Sequence, residues 1–113
     1  MKTLKKKEDF NKVFNRGKST ASRYLVIYWY PNKKEINRYG FSISKRIGKA
    51  VVRNKLKRRL KEIIRRFLED CCLKGYDMII IARNPVNSLD FDGIKNDLTR
   101  LFKKADLFKN SGK

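Results

Sequence analysis

The chain has no histidine, so the commonest general base and the commonest zinc ligand are both missing. Its two cysteines, Cys71 and Cys72, are adjacent. Neighbouring cysteines rarely pair with each other, and two thiols cannot close a structural zinc site, so both are expected reduced, near a helix end. No Ser/His or Cys/His arrangement and no phosphate-binding glycine loop is present, which leaves the polypeptide poorly equipped for catalysis of its own. Long apolar runs are absent too. The longest, "YLVIYWYP", is strand-like and far too short to cross a bilayer. The start, "MKTLKKKEDF", carries cations with no apolar stretch behind them, so no secretory leader is read there and a cytoplasmic protein without a membrane partner is expected. There is no internal repeat and no Pro- or Gly-rich linker. A single domain over residues 1–113 is expected, with a frayed tail from about 107 to 113.

Acidic residues are also scarce. Eleven Asp or Glu stand against thirty Lys or Arg, a net charge of +19 in 113 residues. Self-repulsion on that scale destabilises a compact chain unless a polyanion neutralises it. The excess is concentrated: residues 33–66 hold fourteen Lys or Arg and only two acids, Glu35 and Glu62, a net +12. A face meant only for solubility mixes signs and gains pairing. This one does not, and nucleic acid is the partner expected.

Hydrophobic periodicity supplies the elements. Phe10, Val13 and Phe14 recur at helical spacing within residues 8–16, and Gly17 suits a stop. "RYLVIYWYP" and "RYGFSIS" read as strands forming a hairpin, with a short extra strand near 18–20. Tyr24, Tyr28 and Tyr30 fall on one face of the first. Residues 50–71 read as a long helix with an apolar stripe of Val52, Leu56, Leu60, Ile63, Ile64, Phe67 and Leu68. "DMIIIAR" is apolar on both faces, as in a buried interior strand with a parallel neighbour. Asp90 is placed to cap a last helix carrying Phe91, Ile94, Leu98, Leu101 and Phe102. The fold class expected is α+β, an α/β sandwich on one small, mostly antiparallel sheet, in the order α-β-β-β-α-β-α.

The opposite side of the long helix carries Asn54, Lys55, Arg58, Lys61, Arg65 and Arg66. No helix-turn-helix pair precedes it, so DNA is not the expected partner. Readers of unpaired RNA combine cations with aromatic rings that stack on bases, and thirteen aromatics in 113 residues are a surplus. For Asn54 the residues leave helix capping open beside RNA contact.

The stretch "FSISKRIGKAVVRNKLKRRLKEIIRRF" resembles the signature of the bacterial ribonuclease P protein subunit. The family pattern, Gly-x-x-x-Ser-Lys-Lys-x-Gly-x-Ala-Val-x-Arg-Asn-Arg-x-Lys-Arg, is met by Gly40, Ser44, Lys45, Arg46, Gly48, Ala50, Val51, Arg53, Asn54, Lys57 and Arg58. "LKKKEDFNKVFNRG" and "DMIIIARNP" look like the family's first helix and last strand. One departure matters: the Arg-Asn-Arg core appears as Arg53-Asn54-Lys55, and lysine keeps the charge without the planar two-bond fork.

The resemblance implies a subunit of an endoribonuclease whose chemistry belongs to a catalytic RNA. No catalytic residue and no metal site is then expected in the protein, and Mg²⁺ is expected in the holoenzyme, held mainly by RNA. The implied partners are ribonuclease P RNA and the 5′ leader of precursor tRNA. Lys45, Arg46, Lys49, Arg53, Asn54, Lys55, Lys57, Arg58, Lys61, Arg65 and Arg66 would bind the catalytic RNA. Phe10, Phe14 and Tyr28 would line the leader cleft. The resemblance also implies a left-handed β-α-β crossover, against the right-handed rule. Without the resemblance, a ribosomal-type structural RNA-binding protein would be the alternative reading.

Overall fold

The most apolar strand of the chain lies at the centre of the sheet. The computed structural model describes residues 1–109. Its five strands are β1 (Lys2–Thr3), β2 (Lys18–Ala21), β3 (Leu25–Pro31), β4 (Arg38–Ser42) and β5 (Tyr76–Ala82), in the spatial order β1-β4-β5-β3-β2. β5 runs parallel to β4 and antiparallel to β3. β1 joins β4 in parallel, and β2 joins β3 antiparallel. The sheet is therefore mixed, antiparallel along its longest junction, and β1 is an addition to the expected order.

The expected β3–β4 hairpin does not form, because β5 lies between the two strands. A strand apolar on both faces gains most in the middle, where both faces are covered and both edges are paired. Two asparagines tie the β3–β4 connection to that arrangement. Buried Asn37 donates to the Leu73 carbonyl (2.8 Å) and accepts from the Tyr76 N–H (2.9 Å). Asn32 donates to Asp77 (2.9 Å) and accepts from the Lys34 N–H (2.8 Å). Asp77, itself buried, takes two bonds from Arg38, at 2.8 and 2.7 Å. No local pattern announces these long-range bonds.

Helix α1 (Lys7–Arg16) lies on one face of the sheet. Glu8 and Asp9 in its first turn and Arg16 in its last complement the helix dipole. It ends at Gly17, as expected, but for a different reason. Gly17 is extended (φ −79°, ψ 171°), and a Cβ there would stand 2.6 Å from the Trp29 carbonyl oxygen. Close approach to β3, rather than a left-handed turn, requires the glycine.

Helices α2 (Ala50–Ile63) and α3 (Phe91–Lys104) cover the other face and enclose the main core with Leu25, Ile27, Tyr39, Met78 and Ile80. The two faces together make the expected α/β sandwich. After α2 the chain continues through a π-helical turn, Ile64–Leu68, and a 3₁₀ turn, Glu69–Cys71. The helical span 50–71 is thus present but changes register. Ile63, Ile64 and Leu68 stay in the core, while Phe67 turns outward and is 40% exposed. Val52 also leaves the expected stripe: it sits at the helix start over Gly48, 39% exposed. Asp90 caps α3, its side chain accepting the Gly93 N–H at 2.8 Å.

The tail expected to fray from about residue 107 is held in place through Lys109. Leu107 is buried, its carbonyl accepts the Leu73 N–H (2.7 Å), and the Lys109 N–H donates to the Cys71 carbonyl (2.8 Å). The rest of that stretch, 110–113, lies outside the described residues. Cys71 and Cys72 are both free thiols; burial pushes the Cys72 thiol up to about 12.

Candidate nucleic-acid interface

Three rings expected from the sequence to act together do meet. Phe10 and Phe14 lie one turn apart on α1, and Tyr28 reaches them from β3. Phe10 and Phe14 have centroids 6.4 Å apart and tilted; Phe14 and Tyr28 are 5.0 Å apart, edge to face. Val13, between them on the helix, is fully buried and fixes which flank the rings occupy. Gly40 makes room for one of them. A Cβ at that position would stand 2.6 Å from Phe10 Cζ, so the ring rests on bare strand backbone. Phe14 remains 38% exposed.

The other tyrosines expected on this strand face do not join the patch. Tyr24 precedes β3 and packs against the main core on the opposite side. Tyr30 lies beyond the other flank of α1, beside Arg16 and Lys33.

The basic residues of α2 separate into two flanks. Asn54, Lys57, Arg58 and Lys61 line an open depression of about 500 Å³ with Val51, which is 78% exposed. Arg58, Lys61 and Arg65 continue into a second depression beside Met1 and Thr3. Asn54 is not a cap: it lies inside α2, whose N-cap is Lys49, with no side-chain capping bond. Arg66 departs to the other flank, where its guanidinium covers the Phe67 ring at 5.2 Å and Lys95 covers it at 4.5 Å. Lys55 is exposed and lines neither depression. Glu62 accepts from both Arg65 (2.5 Å) and Arg66 (3.1 Å), and those bonds, Arg65 first, hold its carboxyl below the usual range.

The loop before α2 is built rather than loose. Ile47 is buried and its carbonyl accepts from Asn87 at 2.6 Å. Arg53 donates its Nε to the Gly48 carbonyl at 3.1 Å. Gly48 has φ 155° and Val52 against it, so a side chain is excluded there. Lys45, Arg46 and Lys49 stand exposed around this pinned turn. Arg53 thus has a role inside the protein that its place in a basic run did not disclose. Asn87, far away in sequence, carried no signal at all.

The two parts of the site communicate. A concavity of about 350 Å³ has Phe10, Gly40 and Phe41 on one wall and Lys57 and Lys61 on the other, with Lys5 at its rim. Lys61 Nζ lies 5.9 Å from the Phe41 ring centroid. Phe10, one of the three clustered rings, therefore shares a concavity with Lys57 and Lys61.

A match to the Ribonuclease P family model covers residues 1–106. The ribonuclease P protein component of Caldanaerobacter subterraneus is 42% identical over 106 residues, 94% of this chain and 90% of that protein. That of Bacillus velezensis is 48% identical over 109 residues, 96% and 92% of the two chains. The solved ribonuclease P protein of Staphylococcus aureus superposes with a TM-score of 0.88 at 34% identity, covering 96% of this chain and 99% of that one. Sequence signature, fold and full-length likeness agree, and the chain belongs to the ribonuclease P protein family.

Proposed function

We propose that this protein component of ribonuclease P binds the catalytic RNA through α2 and its preceding turn, and the 5′ leader of precursor tRNA over Phe10, Phe14 and Tyr28. The observation that carries the reading is the shared concavity, with Phe10 on one wall and Lys57 and Lys61 on the other. An unpaired strand laid on the rings passes directly to the cations. Stacking contributes roughly 1–3 kcal/mol per base, and each phosphate contact releases counterions. Asn54, Lys57, Arg58, Lys61 and Arg65 form the flank that takes phosphates. Lys45, Arg46 and Lys49 extend it around the turn that Arg53 braces. Lys55 and Arg66 act on the outer side.

The chemistry of leader removal belongs to the RNA in this reading. Magnesium would be held there too, because the protein's acids near the site are engaged. Glu62 is held by two arginines, and Asp9 and Asp77 face Arg38. These carboxylates do not fit a cation site, and no step is routed through them. The protein's gain is in binding: it holds the substrate and screens RNA repulsion so that less magnesium is needed.

Reconstitution tests the reading. The protein mixed with a bacterial ribonuclease P RNA at low magnesium should release the 5′ leader from labelled precursor tRNA, while neither component alone does so. Absence of stimulation by folded protein, with several such RNAs, would refute it. Arg58→Ala with Lys61→Ala should also flatten the salt dependence of RNA binding, by roughly 0.7 in the log–log slope per lost contact. An unchanged slope removes those two residues from the phosphate-binding flank.

A further inference from the structure

Helix α1 has a second flank that the leader reading leaves unused. Val13 faces the sheet, Phe10 and Phe14 turn to one side, and Lys12 and Arg16 turn to the other with Asp9. On that other side an open cavity of about 490 Å³ lies between α1 and the β3–β4 connection. Lys6, Lys12, Arg16, Lys33 and Lys34 line it and make no ion pair among the described residues. The two acids in the cavity, Asp9 and Asp77, are both taken by Arg38. The net charge facing this space is therefore strongly positive. Lys33 is held at φ 61°, an uncommon state for a non-glycine residue. The side-chain oxygen of Asn32, accepting the Lys34 N–H, fixes the turn that presents both lysines.

A second cavity, of about 290 Å³, continues around the end of β3, and Arg16, Tyr30 and Pro31 line both. Strand register explains what it contains. Lys18 pairs with Trp29 and Pro31 with Tyr76, and Trp29 and Pro31 alternate onto the same face. Trp29 and Tyr76 pack against the main core yet remain partly exposed, and both line this cavity with Lys18.

From these features we infer a second binding site for an unpaired RNA strand, distinct from the Phe10–Phe14–Tyr28 cleft. Phosphates lie against Lys12, Arg16 and Lys33, and one base rests on the Trp29–Tyr76 platform. Free phosphate would need no platform, and a duplex hides its base faces, so the pairing of cations with rings selects a single strand. The inference rests on the RNA-binding role of the family and not on the leader assignment.

Trp29 is the only tryptophan in the chain, so its fluorescence reports this site directly. Titrating the full chain with a short oligouridylate should quench it. The combined variant Lys12→Ala, Arg16→Ala and Lys33→Ala should abolish the quench and lower the salt slope of binding by roughly 2 (three contacts at about 0.7 each). If Arg16→Ala lowers the helix signal of α1 in circular dichroism, Lys12→Ala with Lys33→Ala carries the same test. Phe14→Ala should keep the quench while weakening leader binding, which separates this site from the cleft. With the whole assembly, quenching by ribonuclease P RNA alone assigns the strand to that RNA; quenching only after precursor tRNA is added assigns it to the substrate. No quench in any arm, the same quench from inorganic phosphate, or a quench that survives the variants overturns the site.

Discussion

The two faces of the sheet are covered unequally. On one, α2 and α3 close over nineteen buried core residues among those described. On the other, α1 alone closes over Leu4, Val13 and Ile79, and Phe10, Tyr28, Tyr30 and Ile81 stay half-buried around them. Both faces carry enough apolar side chains for a core. The first uses them for stability, since burial contributes about 25 cal/mol per Å² of apolar surface. The second leaves rings and open strand at the surface, where they can meet another molecule. The basic residues follow the same division: α2 buries one stripe in the first core and turns its cations outward toward the edge of the second face.

Substitutions can break this comparison, and the largest effect is expected in the main core. Leu60, fully buried, replaced by alanine should cost roughly 2–5 kcal/mol of stability, read in denaturant unfolding. Phe14→Ala on the other face should cost about 1 kcal/mol, the scale of an aromatic pair, yet weaken leader affinity by roughly 1–3 kcal/mol. Equal losses of stability from the two would mean that the faces are not divided in this way.

Gly40→Val sharpens the contrast at intermediate size. Its side chain would enter the space of the Phe10 ring and displace it from the strand. The main core should remain folded, because Gly40 points to the α1 side. Leader binding should fall about as far as in Phe14→Ala, with near-native circular dichroism. Retained binding would show that Phe10 need not rest on the strand.

The smallest effect concerns the thiols, which sit where the main core meets the surface. Cys71 is exposed and Cys72 buried, so an alkylating reagent should modify one cysteine per native chain and both after unfolding. The Cys72 thiol is raised to about 12, chiefly by burial. A raised thiol stabilises the fold fully below the unfolded value near 9 and loses that contribution as pH rises toward 12. Cys72 therefore adds to the loss of stability through that window, together with the buried Tyr39 hydroxyl, which burial also raises, and Cys72→Ala should make the decline shallower.

Some of this was legible residue by residue. The spacing of Phe10, Val13 and Phe14 gave α1, the run Ile79–Ile81 gave a central strand, and Asp90 gave the α3 cap. The signature from Gly40 to Arg58 gave the family. The hairpin failed because sequence adjacency favours β3 with β4, whereas Asn32 and Asn37 bond to the start of β5, 45 and 39 residues on. Phe67 was misplaced because a helical wheel assumes one period, and the π turn at Ile64–Leu68 breaks it. Arg53 looked like every other cation of its run until Gly48 supplied an acceptor.

The sequence alone determined what depends on composition and local period: a strongly cationic protein, where its three α-helices and four longer strands begin, and a polyanion as partner. Charge and side-chain spacing are properties of the chain itself. Only the tertiary structure decided which strand is central, which face of the sheet stays open, and which cations face a concavity rather than a neighbouring carbonyl. Those outcomes depend on hydrogen bonds and packing between residues far apart in the chain, whose partners are fixed only when the whole core closes.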